Sequence, residues 1–277
     1  MRASVPHRNN DRRRRALRAL LATALAALAF AAWLDASRAE DPQIAKRRAA
    51  QQTTFTDAQI AEGFFKIAFG AELSVAGRVD RIRKYDGPVR VHVDNRARPD
   101  RRRQVAAVVA DIRARIEHLD IAVTDDPHAA HIAVTLVRDR DLAPTIRAFY
   151  GRDRARQIER SLEPQCLSGF RKDEQYRILH SDVILVVDAG DFIFYDCVYE
   201  ELLQALGPIN DDPSVPWSMF NDDVQMGFFG IYDQYLLNVL YDPRIRPGMT
   251  RDEVRALLPQ VLPSARAFVA RTNALAP

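Results

Sequence analysis

One string places oxygen donors and a spare carboxylate at spacings suited to holding an ion and moving a proton: Glu200-Glu201-Leu202-Leu203-Gln204-Ala205-Leu206-Gly207-Pro208-Ile209-Asn210. On a helix, residues 200 and 204 lie one turn apart on one face, so their side chains converge. Glu201 stands beside them, where a carboxylate serves as a general base. Gly207 and Pro208 stop the helix, and Asn210 then folds back toward the same point. The donor set is one carboxylate and two amides. Zinc prefers imidazole, thiolate or carboxylate, and neutral carbonyl oxygens suit even a hard cation indifferently. Without a metal to acidify water, Glu201 has no activated nucleophile to serve. Such a set would hold an ion weakly, and no metal or cofactor is expected. A plainer reading has Gln204 and Asn210 hydrogen-bonding across the corner to hold it in shape.

The elements that must position this string are readable around it. Phe194 to Leu206 is the strongest helix pattern in the chain, and Val183 to Val187 is an apolar strand just ahead of it. Ser218-Met219-Phe220 follows Asn210, and Tyr232 to Tyr241 forms a further helix. The spacing E-E-x-x-Q-x-x-G-x-x-N resembles the H-E-x-x-H-x-x-G-x-x-H string of metzincin zinc peptidases. That resemblance implies an α+β, zincin-like fold, a mixed sheet packed by helices. It puts Glu200, Gln204 and Asn210 at the three former metal-ligand positions, each without histidine. It puts Glu201 at a vestigial general-base position and Met219 in a Met-turn, with the strand before the helix as the upper edge strand. A binding cleft beside that strand, taking a peptide or protein, is the use such a scaffold keeps. The alternative is an active metal-dependent hydrolase using Glu201 with non-histidine ligands.

The chain is also similar to a proteobacterial family of exported proteins, domain of unknown function 2927. The residues that carry this similarity are Phe55-Thr56-Asp57 through Phe64-Phe65 to Gly70, then Cys166, Cys197, Glu200-Glu201, Gln204, Leu206-Gly207 and Asn210-Asp211. Ser218 to Asp222, Leu240 to Pro243 and Pro247-Gly248-Met249 complete them. This likeness implies a cell-envelope location and no established activity.

Elsewhere the pattern is of a mixed fold. Thr56 and Asp57 cap a helix over about 57–69. Val89, Val91 and Val93 alternate with polar residues as a strand does. A helix over 102–119 precedes a strand pair, 121–124 and 131–137, joined by a turn at Asp125-Asp126-Pro127. Residues 144–161 are helical after Pro144, and 162–180 are irregular. Thr250 and Glu253 form a capping box for a last helix. His128 and His131 with Asp125 and Asp126 are a weak metal set, better explained by a turn entering a strand. His92 falls on the wet face of its strand. Asp211-Asp212 with Asp222-Asp223 offer oxygens for Ca²⁺, but their spacing matches no EF-hand loop.

Composition bounds the rest. A chain of 277 residues, 47% hydrophobic and 28% charged, buries a real core and is neither disordered nor fibrous. The net charge of +3 is misleading. Residues 1–39 hold eight Arg and two Asp, leaving 32 basic and 35 acidic residues, a net −3. Nothing in that body favours nucleic acid, the cluster Arg96 to Arg103 reads as a solvated helix start, and no phosphate-binding glycine motif suggests a nucleotide. Arg12 to Arg15, the uncharged run Ala19 to Leu34, and Ser37 and Ala39 form an export signal cut before Glu40. The run of 16 falls short of the ~20 residues a spanning helix needs. Retention as an inner-membrane anchor by residues 19–34 is the alternative to a periplasmic or secreted protein. Residues 40–54 read as a flexible leader and 55–277 as one domain. The two cysteines, Cys166 and Cys197, pair as a disulfide if the chain is exported. Two buried free thiols are the alternative.

Overall fold

The computed structural model describes residues 40–70, 80–161, 165–208 and 210–275. The export signal read over 1–39 lies outside the described residues. The chain divides into two compact units, 1–42 and 43–277, and the architecture below is that of the second. No helix among the described residues is long and apolar enough to cross a membrane.

Seven helices and five strands follow in order: α1 (Pro42–Ala50), α2 (Asp57–Ala68), β1 (Val89–Asn95), α3 (Arg102–Arg115), β2 (Ile121–Val123), β3 (Ile132–Val137), α4 (Asp139–Ser161), β4 (Cys166–Lys172), β5 (Ile178–Val186), α5 (Asp191–Gln204), α6 (Ile231–Tyr241) and α7 (Arg251–Thr272). The sheet runs β2-β1-β3-β5-β4. Its first four strands are parallel, and β4 pairs antiparallel to β5 at one edge. The α+β expectation holds at this level.

The sheet is covered on both faces, and β5 shows how. Val183 and Leu185 join the main core with α2, α3, α5, α6 and α7, whereas Ile184 and Val186 join a smaller cluster with Leu142, Ile146 and Ile158 of α4. Alternate residues of a strand point to opposite faces, so a fully apolar strand needs apolar cover on both sides. The capping boxes at Thr56–Gln59 and Thr250–Glu253 both form and fix the starts of α2 and α7. Between α2 and β1 a short strap ties helix ends together. Lys84 Nζ donates to Leu240 O and Ile245 O, 2.8 Å each, satisfying a carbonyl that the end of α6 leaves unpaired and one in the loop after it.

Several elements differ from expectation. The segments 121–124 and 131–137 are not partners; each pairs in parallel with β1, on opposite sides of it. A tight turn suggests a hairpin, but Pro127–Ala129 forms a 3₁₀ turn inside a crossover. Strand β4 and the start of β5 occupy the stretch read as irregular, so the edge strand of the sheet is β4 and Val183–Val187 belongs to the strand inside it. Residues 42–50 of the polar leader are helical, with Ile44 buried and Arg47 and Arg48 lying over the rings of Phe192 and Phe228. Helix α4 begins at Asp139, ahead of Pro144, and breaks at Gly151. Helix α3 stops at Arg115, four residues short of the expected end.

Candidate functional site

Helix α5 carries the string, and its face toward the 208–230 loop is polar at every fourth residue: Asp196, Glu200 and Gln204. Asp196 Oδ1 accepts from the backbone of Met226 at 2.6 Å and Gly227 at 2.9 Å. Burial raises its pKa despite these bonds. Gln204 is fully employed. Its Oε1 accepts from Ser168 Oγ of β4 at 3.1 Å, and its Nε2 donates to both Asp211 carboxylate oxygens, at 3.3 and 3.1 Å. Between these two anchors stands Glu200. One oxygen from each of Glu200, Asp211 and Asp222 lies within 4.8 Å of the others. Burial first, and then the charges of Glu201, Asp211, Asp196 and Asp222, drive the Glu200 pKa far above the carboxylate range. Glu200 therefore holds its proton at neutral pH.

The remaining string residues are placed differently from one another. Glu201 is buried at 5% exposure. Asn210 does not turn to the Glu200 cluster; its Nδ2 donates to Lys66 O of α2 at 2.9 Å, and its carboxamide packs on Gly70. Asp211 and Asp222 complete the cluster in its stead. Gly207 adopts φ 139°, and a Cβ there would sit 2.2 Å from the Arg83 carbonyl oxygen, so only glycine makes this turn. Met219 is buried, and its turn is pinned by Asp233 at the start of α6. Asp233 accepts from Ser218 Oγ at 2.5 Å and Met219 N at 3.1 Å. Full burial raises its pKa to about 7 against the pull of both bonds.

Cys166 and Cys197 are joined, with Cα atoms 5.8 Å apart. The disulfide fastens edge strand β4 to α5 one turn ahead of Glu200 and Glu201. The other candidates do not assemble. His131 Nδ1 accepts from Arg90 N, His92 Nδ1 lies 3.2 Å from Thr124 O, and His128 sits in the 3₁₀ turn capped by Asp126. Asp212 caps Ser214, and Asp223 N donates to Asn221 Oδ1, so of the four aspartates weighed for Ca²⁺ only Asp211 and Asp222 approach Glu200. In the basic cluster Arg96 pairs with Asp94, Arg102 with Asp100 and buried Arg101 with Asp191. Two open cavities, of about 480 and 230 Å³, are lined by residues around Asp242 and around Trp217, and neither is lined by Glu200, Asp211 or Asp222.

Sequence reasoning missed Ser168, Asp196 and Asp233. The period of four from Asp196 through Glu200 to Gln204 was the signal for Asp196. Nothing local marks Ser168, because its role comes from strand pairing across 36 residues of chain.

A family profile described as "Protein of unknown function (DUF2927)" matches residues 57–260. The chain belongs to this family. No curated protein and no solved structure matches it. The span shared with the DUF2927 family runs from α2 into α7 and takes in every residue of the site just described.

The Gln204 oxygen is taken by Ser168 and the Asn210 carboxamide is turned to α2, so among the described residues the gathered ligands are three carboxylates, without the imidazole or thiolate typical of zinc sites. Hard oxygen donors of this kind suit Ca²⁺, Mg²⁺ or Mn²⁺.

Proposed function

We propose that this chain is an exported envelope protein with a zincin-like domain that has lost zinc catalysis and holds an extended peptide or protein segment along β4. The observation that carries the reading is the fate of the two amides. Gln204 and Asn210 occupy ligand positions in the zincin spacing, yet the Gln204 oxygen accepts from Ser168 and the Asn210 carboxamide is tied to α2 instead. A site awaiting a metal would leave such donors turned inward together. Strand β4 supports the binding half of the proposal. It is the sheet edge, no other described strand pairs with its outer side, and the disulfide and the Ser168–Gln204 bond hold it against α5. An extended peptide adds to such an edge through its main chain. A disulfide is at home in an oxidising compartment, which supports export.

A second reading draws on the carboxylates. Glu200, Asp211 and Asp222 form an oxygen set for a hard cation, with Glu201 next in sequence as a general base.

Binding of the full chain to an array of extended random peptides tests the proposal. Bound peptides should lose affinity when alternate main-chain amides are N-methylated. Failure to bind any peptide, or peptide turnover abolished by Glu201→Gln, would overturn it. Mass spectrometry of the envelope fraction should find an N-terminus at or near Glu40; a retained full-length chain points to the anchor.

A further inference from the structure

Arg83 lies in the strap between α2 and β1 and is buried at 3% exposure. Its Nη2 donates to Gly70 O at 2.7 Å and Ala68 O at 3.4 Å. Its Nε is buried and meets no acceptor. Burial lowers its pKa to about 10, so it stays cationic at neutral pH, and no carboxylate among the described residues pairs with it. The contrast with its neighbour is instructive. Lys84 is buried as well, but Asp86 and Asp242 act on its charge and three backbone carbonyls receive its ammonium. Buried charges in proteins are paired, because an isolated one forfeits its hydration. Arg83 has two carbonyls and a ring beside it but no carboxylate among the described residues, and its spare Nε–H is suited to one.

Its location ties it to the cleft. The Gly70 that accepts from Arg83 packs on the Asn210 carboxamide, and the Arg83 carbonyl lies where a Gly207 side chain would go. The guanidinium sits 5.5 Å from the ring centre of Phe170, in edge strand β4. Phe170 is only partly buried and stands on the edge strand along which the proposed peptide lies.

We propose that Arg83 is the anion anchor of the site and takes a carboxylate of the bound peptide through its unpartnered Nε–H. This rests on the peptide-binding reading and adds the chemistry of one end of the ligand. The carboxylate belongs either to a free C-terminus or to an acidic side chain.

Side-chain ¹⁵N–¹H NMR of the full chain tests it, with the Arg83 Nε–H as the reporter. The probes are N-acetyl-alanyl-alanine, its C-terminal amide, N-acetyl-aspartate amide and inorganic phosphate. The free-carboxylate dipeptide should shift the Arg83 signal saturably, and its amide should not. A response to N-acetyl-aspartate amide as well assigns the anchor to acidic side chains too. Arg83→Lys keeps the charge but removes the Nε–H donor, and should weaken the carboxylate dipeptide about tenfold. An unmoved Nε–H at saturating dipeptide, a response to phosphate alone, or unchanged affinity in Arg83→Lys overturns the assignment. Binding of the free-carboxylate dipeptide with Nε–H unmoved removes the anchor while leaving peptide binding along β4 standing.

Discussion

Glu200→Gln should stabilise this protein, and by an amount that grows with pH. In the folded chain Glu200 keeps its proton, because burial and four neighbouring carboxylates oppose its ionisation. In the unfolded chain it titrates like any glutamate, near pH ~4.3. The folded pKa is raised, so the folded state binds more protons than the unfolded state above that point. Stability is therefore fully present below it and falls as pH rises. Each unit of raised pKa is worth about 1.4 kcal/mol. Glu200 is only partly buried and the cluster relaxes, so we discount the sum to about 2 kcal/mol at pH 8. Glutamine preserves shape, carries no charge and removes this penalty. In a domain of this size about 2 kcal/mol raises Tm by roughly 4–8 °C. The assay is thermal unfolding of both proteins from pH 4.5 to pH 8 at constant ionic strength, with chelator present. The gain should be near zero at the acid end and largest at pH 8. A destabilised Glu200→Gln protein, or a gain that does not change with pH, would refute the cluster electrostatics.

Three other perturbations follow from the same geometry. Asp233, with its pKa raised to about 7, makes the wild type lose stability as pH climbs from ~4 to about 7; Asp233→Asn should flatten unfolding free energy across that window, and an unchanged slope would exclude Asp233 as its source. Gly207→Ala puts a Cβ 2.2 Å from a backbone oxygen at φ 139° and should lower stability by about 3 kcal/mol or more, read by urea unfolding. Replacing Cys166 and Cys197 by serine should cost roughly 3 kcal/mol, as opening a loop of this length does; a wild-type protein with two titratable thiols after denaturation without reductant would show the pair is not formed.

What was legible in the sequence was whatever local spacing specifies. The α5 pattern, both capping boxes, the obligate Gly207 and the pairing of two lone cysteines depend on residue type and near neighbours. Strand β4 was not legible. Its residues Cys166-Leu167-Ser168-Gly169-Phe170-Arg171-Lys172 hold a glycine and two charges, and it is a strand because β5 pairs with it and α5 lies beneath it. Helix α1 looked like a leader because Ile44 is its one buried residue, and its docking comes from arginines stacked on distant rings. Asn210 was assigned by counting along a motif, whereas the chain after Gly207 turns that residue toward α2 and brings Asp211 to Gln204. A spacing rule cannot distinguish adjacent residues of a loop; the hydrogen-bond partners they find decide which faces the site.

The central claim is that the zincin-like spacing around Glu201 no longer supports zinc chemistry. Metal content of the purified full chain, measured by mass spectrometry after exposure to excess zinc and exhaustive dialysis, tests it most directly. The account predicts no stoichiometric zinc, with Glu200→Gln and wild type alike. One equivalent of retained zinc in the wild type, lost in Glu200→Gln, would contradict it.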